Sequence, residues 1–310
     1  PVTEDNAVAK IIRAGSEDIV YIADAVQISG AIQKGDTLVL LDNISGGKSG
    51  TAAIQIKAVN VTVDLNGFNV TNPNGGNGIA VAIPYGTKDA GTFTLVNNNS
   101  ERKSKVTGKT PLTLSHGNSL VLEATIGENI ELIATGENGM VELGSNARIP
   151  YSAENAALVN GGFKAVDTNE KEYIYGSLGY AVKVDADREV QLVGSYKGTD
   201  AINFSSGEAV LDLKGFTYEY TGSDAAIKMT KGSPEYAKLT IKNGTLISAS
   251  DAGTLLFTEK NLIIDDVDIT VNGSGYGFCS NGTAENAGCN LTLQNGTTLT
   301  APNAIAIYWP

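Results

Sequence analysis

The stretch VDLNGFNV, residues 63–70, decides the fold prediction, because it joins a strand pattern to a tight corner. Apolar and polar residues alternate as far as Leu65, which is typical of a strand with one buried face. Gly67 then favours a corner, since glycine adopts positive φ angles that other residues resist. We therefore predict that Asp64 accepts hydrogen bonds from corner amides and that Phe68 begins the next face of the fold.

The same phrase occurs a second time as LDLKGFTY, residues 211–218. Asp212 and Gly215 correspond to Asp64 and Gly67, at an offset of 148 residues (212 − 64). Two more segments recur at nearly this offset, because TAAIQI resembles the later TDAINF and FTLVNN resembles the later LTIKNG. Three matched segments at nearly one spacing indicate an internal duplication, and we interpret all four corner residues as scaffold.

Short alternating runs ended by Gly, Asn or Asp recur along the whole chain, and helical periodicity is almost absent. This pattern predicts an all-β fold, either a β-solenoid or a pair of tandem β-sandwich domains. Irregular spacing favours the solenoid, since its loops project outward without disturbing the stack.

The predicted organisation starts with a cap, because a solenoid exposes unpaired strand edges at its ends. Apolar residues near the N-terminus have helical spacing, so we predict a cap with short helical segments over residues 1–36. One continuous solenoid then follows, with its first half at 37–170 and its second half at 171–310. The apolar residues at the end of the sequence lead us to expect that the natural chain continues.

The composition excludes several classes of protein. Net charge is −12, which disfavours nucleic acid, because phosphate neutralisation needs clustered Lys and Arg. No apolar run approaches the ~18 residues of a membrane span, so we expect no membrane insertion in this segment. Gly is frequent at 36 residues while Pro numbers only 8, which indicates many tight corners rather than a flexible linker.

Several segments resemble a known family. GDTLVLL at 35–41, VTVDLNGF at 61–68 and the closing GYGFCSNGTAENAGCNLTLQNGTTLTAPNAIAIYWP are similar to bacterial cell-surface proteins with a pectate-lyase-like fold. The resemblance implies a single-stranded right-handed parallel β-helix and an extracellular or cell-surface location. It carries over no catalytic residue, because the shared motifs are strands and corners.

The best carboxylate cluster is Asp265, Asp266 and Asp268 in LIIDDVDITV. Asp266 and Asp268 stand two residues apart, so a regular strand would place them on one face. Such a cluster suits an acid pair or a weak cation site, but an exposed strand has the same appearance. We take the solvated surface as the first interpretation and partner binding as the second.

Paired tyrosines are the other candidate for ligand binding. Tyr218 and Tyr220 alternate with Glu219 and therefore lie on one strand face. Exposed aromatic faces bind sugars, so these rings predict a glycan-binding strip, and packing of the rings against a neighbouring element is the alternative.

The cysteines and the single histidine complete the candidates. Cys279 and Cys289 flank a turn-rich segment, which predicts either a disulfide or two small buried thiols. His116 reads as a corner residue, because the Asn-Thr-Asp segment that β-helix hydrolases carry is absent. Two Cys and one His make no metal site, and no cofactor fingerprint is present.

These observations favour a non-enzymatic surface or secreted module, adhesin-like, that displays loops for a glycan or a host or cell-surface protein. The alternative is a polysaccharide lyase or glycoside hydrolase on the same fold, since one fold hosts many functions.

Overall fold

The computed structural model describes residues 1–47, 50–229, 236–251, 255–257, 260–280 and 289–309. The chain is mainly β, with 46% strand and 8% helix, which confirms the predicted class. It divides into two compact units, residues 1–150 and 151–310.

The first unit begins with two strands and a short helical turn before its parallel sheets. These elements are β1 (Ala9–Ile12), β2 (Ile19–Ile22), a 3₁₀ turn (Ala25–Gln27) and α1 (Ile28–Ala31), after a 3₁₀ turn at Glu4–Asn6. The strands that follow are β3 (Thr37–Leu40), β4 (Ile44–Ser45), β5 (Ile54–Ile56), β6 (Val61–Asp64), β7 (Val70–Thr71), β8 (Ile79–Ile83), β9 (Gly91–Val96), β10 (Ser104–Gly108), β11 (Leu112–His116), β12 (Leu122–Ile126), β13 (Ile130–Ala134), β14 (Val141–Leu143) and β15 (Ala147–Pro150).

Every third strand of this series pairs in parallel. One sheet runs β3, β6, β9, β12 and β15, a second runs β4, β7, β10 and β13, and a third runs β5, β8, β11 and β14. We call three consecutive strands, one in each sheet, a triplet. This parallel pairing is consistent with a solenoid and differs from the antiparallel pairing of a β-sandwich.

The strand register of the first unit pairs apolar residues with apolar residues in successive triplets. Leu38 pairs with Val63 and Val63 with Leu95, and all three side chains are fully buried. In the third sheet Ile54 and Ile79 are paired and buried in the same way. Alternation therefore sends one apolar row from each sheet into a shared core, and the hydrophobic effect holds the register.

The start of the first unit contains short helical segments, as predicted, but its first apolar runs are strands instead of helices. Ala9–Ile12 and Ile19–Ile22 are strands that pair with each other in antiparallel fashion, and β1 also pairs with β3. The helical segments of this region are the 3₁₀ turn at Glu4–Asn6 and the stretch from Ala25 to Ala31. The spacing of Ile11 and Ile12 misled the prediction, because so few apolar residues fit a helix and a strand equally well.

A buried carboxylate and a partly buried arginine connect this cap to the first triplet. Asp36 is 2% exposed and accepts hydrogen bonds from the amides of Gln33 (2.8 Å) and Ala14 (3.1 Å). Its carboxylate also forms an ion pair with Arg13, whose guanidinium donates to the Ala31 carbonyl at 2.8 Å. The end of β1, the helix and the start of β3 therefore meet at one carboxylate.

The second unit opens with α2 (Ala153–Leu158), β16 (Phe163–Val166), β17 (Glu172–Tyr175) and α3 (Leu178–Val184). Its later strands are β18 (Glu189–Leu192), β19 (Tyr196–Gly198), β20 (Ile202–Asn203), β21 (Gly207–Asp212), β22 (Thr217–Tyr220), β23 (Ile227–Met229), β24 (Ala237–Ser248), β25 (Leu255–Phe257), β26 (Asn261–Val271), β27 (Tyr276–Ser280), β28 (Asn290–Gln294), β29 (Thr298–Thr300) and β30 (Ile305–Tyr308).

Parallel pairing again joins corresponding strands in the second unit. One row is β18, β21, β24, β26 and β28, a second is β19, β22, β24, β26 and β29, and a third is β20, β23, β25, β27 and β30. The long strands β24 and β26 belong to two rows each. They continue through the corner at which the other triplets have two separate strands.

The second unit starts as the first does. β16 pairs in antiparallel fashion with β17 and with β18, and α3 lies between those two partners in the chain. Asp185, which is 7% exposed, accepts hydrogen bonds from the amides of Val166 and Asp187, both at 2.9 Å. A hairpin, a helix and a buried Asp thus precede the parallel strands in both units.

Candidate functional site

The two repeated phrases form turns of the same geometry. Asn66 and Gly67 have φ angles of 48° and 81°, and the Phe68 amide donates to the Leu65 carbonyl at 2.8 Å. The Asp64 carboxylate accepts from the Asn66 amide at 2.9 Å. In the second unit, the corresponding residues are Asp212, Leu213, Lys214, Gly215 and Phe216, with φ angles of 54° and 81° and the same two hydrogen bonds, each at 2.8 Å.

Both carboxylates also bind the next triplet. Asp64 accepts from the Asn98 amide at 3.0 Å and from the Asn98 side chain at 2.9 Å. Asp212 accepts from the Asn243 side chain at 3.2 Å. These acids therefore hold adjacent triplets together, as polar groups at a buried edge must be hydrogen-bonded.

Gly67 and Gly215 offer a matched pair for measurement. We expect Gly67→Ala and Gly215→Ala each to lower unfolding free energy by about 1 kcal/mol or more, because a Cβ strains a left-handed residue. Gly67→Ala should cost more, since its Cβ would lie 3.0 Å from the side chains of Arg102 and Asn99, whereas Gly215 has open space. Thermal denaturation followed by circular dichroism measures both losses, and an unchanged melting temperature for either would contradict the expectation.

The carboxylate cluster in β26 is dispersed by the same kind of corner. Asp266 has a φ of 55°, which interrupts the alternation between Asp265 and Asp268. The Asp265 carboxylate accepts from the side chains of Asn295 (2.6 Å) and Gln294 (2.9 Å). Asp268 accepts from the Thr298 hydroxyl at 2.6 Å. The chain therefore turns at Asp266, and the two end carboxylates bind the following triplet.

The electrostatics of Asp265 point away from acid catalysis. Hydrogen bonds from Asn295 and then Gln294 lower the pKa of Asp265 below its ordinary 3.8, because they stabilise the ionised form. A general acid at neutral pH needs a raised pKa instead. Among the described residues, no group of three or more His, Cys, Asp or Glu side chains is placed to hold a metal ion.

The Asn295 side chain donates the hydrogen bond that contributes most to the lowered pKa of Asp265, so its removal tests that cause. We expect Asn295→Gly to raise the pKa of Asp265 towards 3.8, while glycine tolerates the positive φ of 52° at this position. The sign follows from linkage: a lowered pKa favours the fold above about pH 3.8, and this contribution is lost as pH falls through the folded pKa. Carboxyl NMR titration measures the shift. Thr298→Ala is the control, because it contacts Asp268; an equal shift there would contradict the assignment.

Tyr218 and Tyr220 lie in the core, which corrects the prediction of a glycan strip. Each is 3% exposed, and the Tyr218 ring stacks on Tyr196 at a centroid distance of 4.4 Å. The Tyr218 hydroxyl donates to the Asp200 carbonyl at 2.7 Å, and burial raises its pKa well above 10.0. Buried rings present no face to a sugar, so packing, the alternative interpretation, describes them.

The histidine and the cysteines occupy structural positions. His116 is 5% exposed at the end of β11, with Nε2 2.9 Å from the Asp89 carbonyl and Nδ1 accepting from the Asn118 amide. Cys279 is buried at the end of β27, and burial raises the pKa of its thiol above 9.0. Residues 281–288, between Cys279 and Cys289, lie outside the described part of the chain, and the disulfide stays a prediction.

A cleft of about 620 Å³ in the first unit is a candidate site that sequence reasoning missed. Small residues dominate its described lining, and within that described lining Asp24 is the one charged residue. The lining residues are Val8, 23–26, 29, 43–47, 51–53 and 55. The cleft could not be predicted from the sequence, because the Gly, Ala and Ser residues that line it have the composition of ordinary turns.

Comparison with protein-family models, with curated proteins and with solved structures gives no match. The resemblance to β-helical cell-surface proteins therefore stays a prediction. No helix in the described ranges is long and apolar enough to cross a membrane.

Proposed function

We propose that this chain is a non-enzymatic binding module of a bacterial surface or secreted protein. In this proposal each unit is a single-stranded right-handed parallel β-helix. The pairing of every third strand supports the winding, and the resemblance of the strand-and-corner motifs supports the location.

One observation carries the non-enzymatic part: four of the five candidate acids are bound to neighbouring triplets. Asp64, Asp212, Asp265 and Asp268 each accept hydrogen bonds from side chains or amides one triplet further on. A carboxylate so engaged is held in place by its partners, which serves the cohesion of the stack rather than proton transfer to a substrate. What remains for a partner is the surface between the corners, which includes the cleft beside β4.

The direct test is turnover on a panel of acidic and neutral polysaccharides, assayed by the release of reducing ends and of unsaturated products. We expect none with the wild-type chain. Cleavage that is abolished by Asp266→Ala and kept by Asp268→Ala would overturn the proposal in favour of a polysaccharide-active enzyme. Both residues are exposed, so neither change should unfold the chain.

A further inference from the structure

The first triplet of the first unit has three strand edges that face the cap, and they are covered in different ways. β1 pairs with the edge of β3. α1 packs against β5. β4 pairs with β7 on one side, and no described strand pairs with its other side. An uncovered edge offers backbone groups to an incoming chain.

The open backbone groups of this edge belong to Ser45. The amides of Ile44 and Gly46 donate towards β7, to the carbonyls of Asn69 (2.8 Å) and Thr71 (3.1 Å). Successive residues of a parallel strand point their N–H and C=O groups to alternate sides. The N–H and C=O of Ser45 therefore point away from β7, and Ser45 lines the cleft. Within the described residues neither group has a hydrogen-bond partner.

The second unit shows what fills the same position there. Ile44 pairs with Val70 three residues after Gly67, and Tyr196 pairs with Tyr218 three residues after Gly215, so Lys197 corresponds to Ser45. The Lys197 amide donates to the Asn160 side-chain oxygen at 3.1 Å. The Asn160 side-chain nitrogen in turn donates to the Lys197 carbonyl at 2.8 Å.

A single carboxamide therefore satisfies both outward groups of this edge in the second unit. A carboxamide has the donor and acceptor of a peptide group, so it stands in for one residue of an added strand. The first unit has a cleft at the corresponding edge and no such side chain among its described residues.

We infer that the cleft of the first unit binds an extended polypeptide segment of a partner, whose backbone pairs with Ser45 as an added edge strand. This inference rests on the proposed binding function and names its partner. Main-chain hydrogen bonds supply affinity in strand addition, and alternate side chains of the bound segment enter the cleft.

The lining residues indicate which segment fits. Ala23, Ala25, Ala52 and Ala53 leave room for side chains, and Val26, which is 75% exposed, offers an apolar contact at the cleft. Asp24 disfavours an acidic segment, because two carboxylates would repel at close range. We therefore expect neutral or basic peptides with one or two apolar residues at alternate positions.

Selection from a phage-displayed library of linear dodecapeptides tests the inference, with Ser45→Pro as the key variant. Proline removes the one N–H that faces the cleft, and it keeps the β4–β7 ladder because the donors there are Ile44 and Gly46. We expect peptides enriched on the wild-type chain to bind Ser45→Pro about tenfold more weakly, as the loss of one buried main-chain hydrogen bond implies. Ser45→Ala keeps the amide and should bind within about twofold of wild type.

Two further measurements keep the inference open to refutation if Ser45→Pro folds poorly. Lys197→Pro is the matched change, and it should lower the melting temperature more than Ser45→Pro, because the Lys197 amide is bonded to Asn160. N-methylation of one central amide of a selected peptide should also weaken binding to the wild-type chain.

Each adverse outcome has a defined meaning. No peptide enriched on wild type over Ser45→Pro, or equal binding of N-methylated peptide, would overturn the peptide site and leave the non-enzymatic proposal intact. Dimerisation of the wild-type chain that Ser45→Pro abolishes, seen by sedimentation, would show that a second copy is the occupant and would overturn the separate partner. Polysaccharide turnover would overturn the proposed function whatever Ser45→Pro does.

Discussion

Gly273→Ala should destabilise the second unit by about 3 kcal/mol or more. A Cβ at this position would collide with the carbonyl oxygen of Ser250 and lie 2.9 Å from the Asp251 amide. Both atoms belong to the backbone of the previous triplet, where the Asn272 amide donates to the Ser248 carbonyl at 2.8 Å. Relief of this collision requires the two triplets to separate, because the atoms that the Cβ meets are backbone atoms and not the end of a flexible side chain.

Chemical denaturation and hydrogen exchange of the amides at 237–251 and 260–280 would measure this effect. Gly194→Ala is the matched control, since its Cβ meets no heavy atom within 4 Å and its φ is not positive. We expect the control to stay within about 0.5 kcal/mol of wild type. Equal stability of the two variants would show that the triplets can separate at little cost.

Asp36→Ala should release the cap of the first unit, at a cost of about 3 kcal/mol. The change leaves the Arg13 guanidinium, whose side chain is 20% exposed, without its buried carboxylate. It also removes the acceptor for the amides of Ala14 and Gln33. Hydrogen exchange should rise first in residues 9–40, because β1 and β3 are the strands that this carboxylate joins.

The second unit supplies the comparison for Asp36. Asp185 accepts two backbone amides, so Asp185→Ala should cost less, about 1–2 kcal/mol. The double change of Arg13 and Asp36 to Ala should recover part of the loss, since it removes the stranded charge. A loss from Asp36→Ala no larger than that from Asp185→Ala would contradict the role assigned to Arg13.

Strands and their inward faces were predictable because the alternation is local. Val61, Val63 and Leu65 were expected to share one face, and all three are buried. Period-2 patterning requires only a few adjacent residues, and every strand of a parallel stack repeats it. Pairing partners, in contrast, lie roughly 25–32 residues apart, within the usual range for repeat proteins. Because the loops between them vary in length, the sequence shows no fixed spacing from which the pairing could be predicted.

The caps were harder to predict, because their strands are short and pair out of sequence order. β1 pairs with both β2 and β3, so a helical turn separates two strands that share a neighbour. The second cap was not predicted at all. Ser177, whose hydroxyl accepts from the Tyr180 amide, was an available helix-start signal ahead of a short apolar stretch.

Site residues were the least predictable, because burial decides what a polar or aromatic side chain does. Tyr218 and Tyr220 have the alternation of an exposed strip, yet their face of β22 is the inner one. Asp265 and Asp268 are at the surface as expected, but their partners lie about 30 residues further along the chain, in the next triplet. The Ser45 edge became visible only by comparison with Lys197, whose partner Asn160 is a long-range contact.

The repeated hairpin–helix start also bears on how the chain folds in time. A parallel stack forms slowly on its own, because each strand must find a neighbour a whole triplet away and pay loop-closure entropy first. β1–β2 and β16–β17 are local hairpins that close quickly and present an edge for the first parallel strand. We therefore expect two nucleation points, so that growth during synthesis begins again at residue 163 instead of depending on a single starting event near the N-terminus.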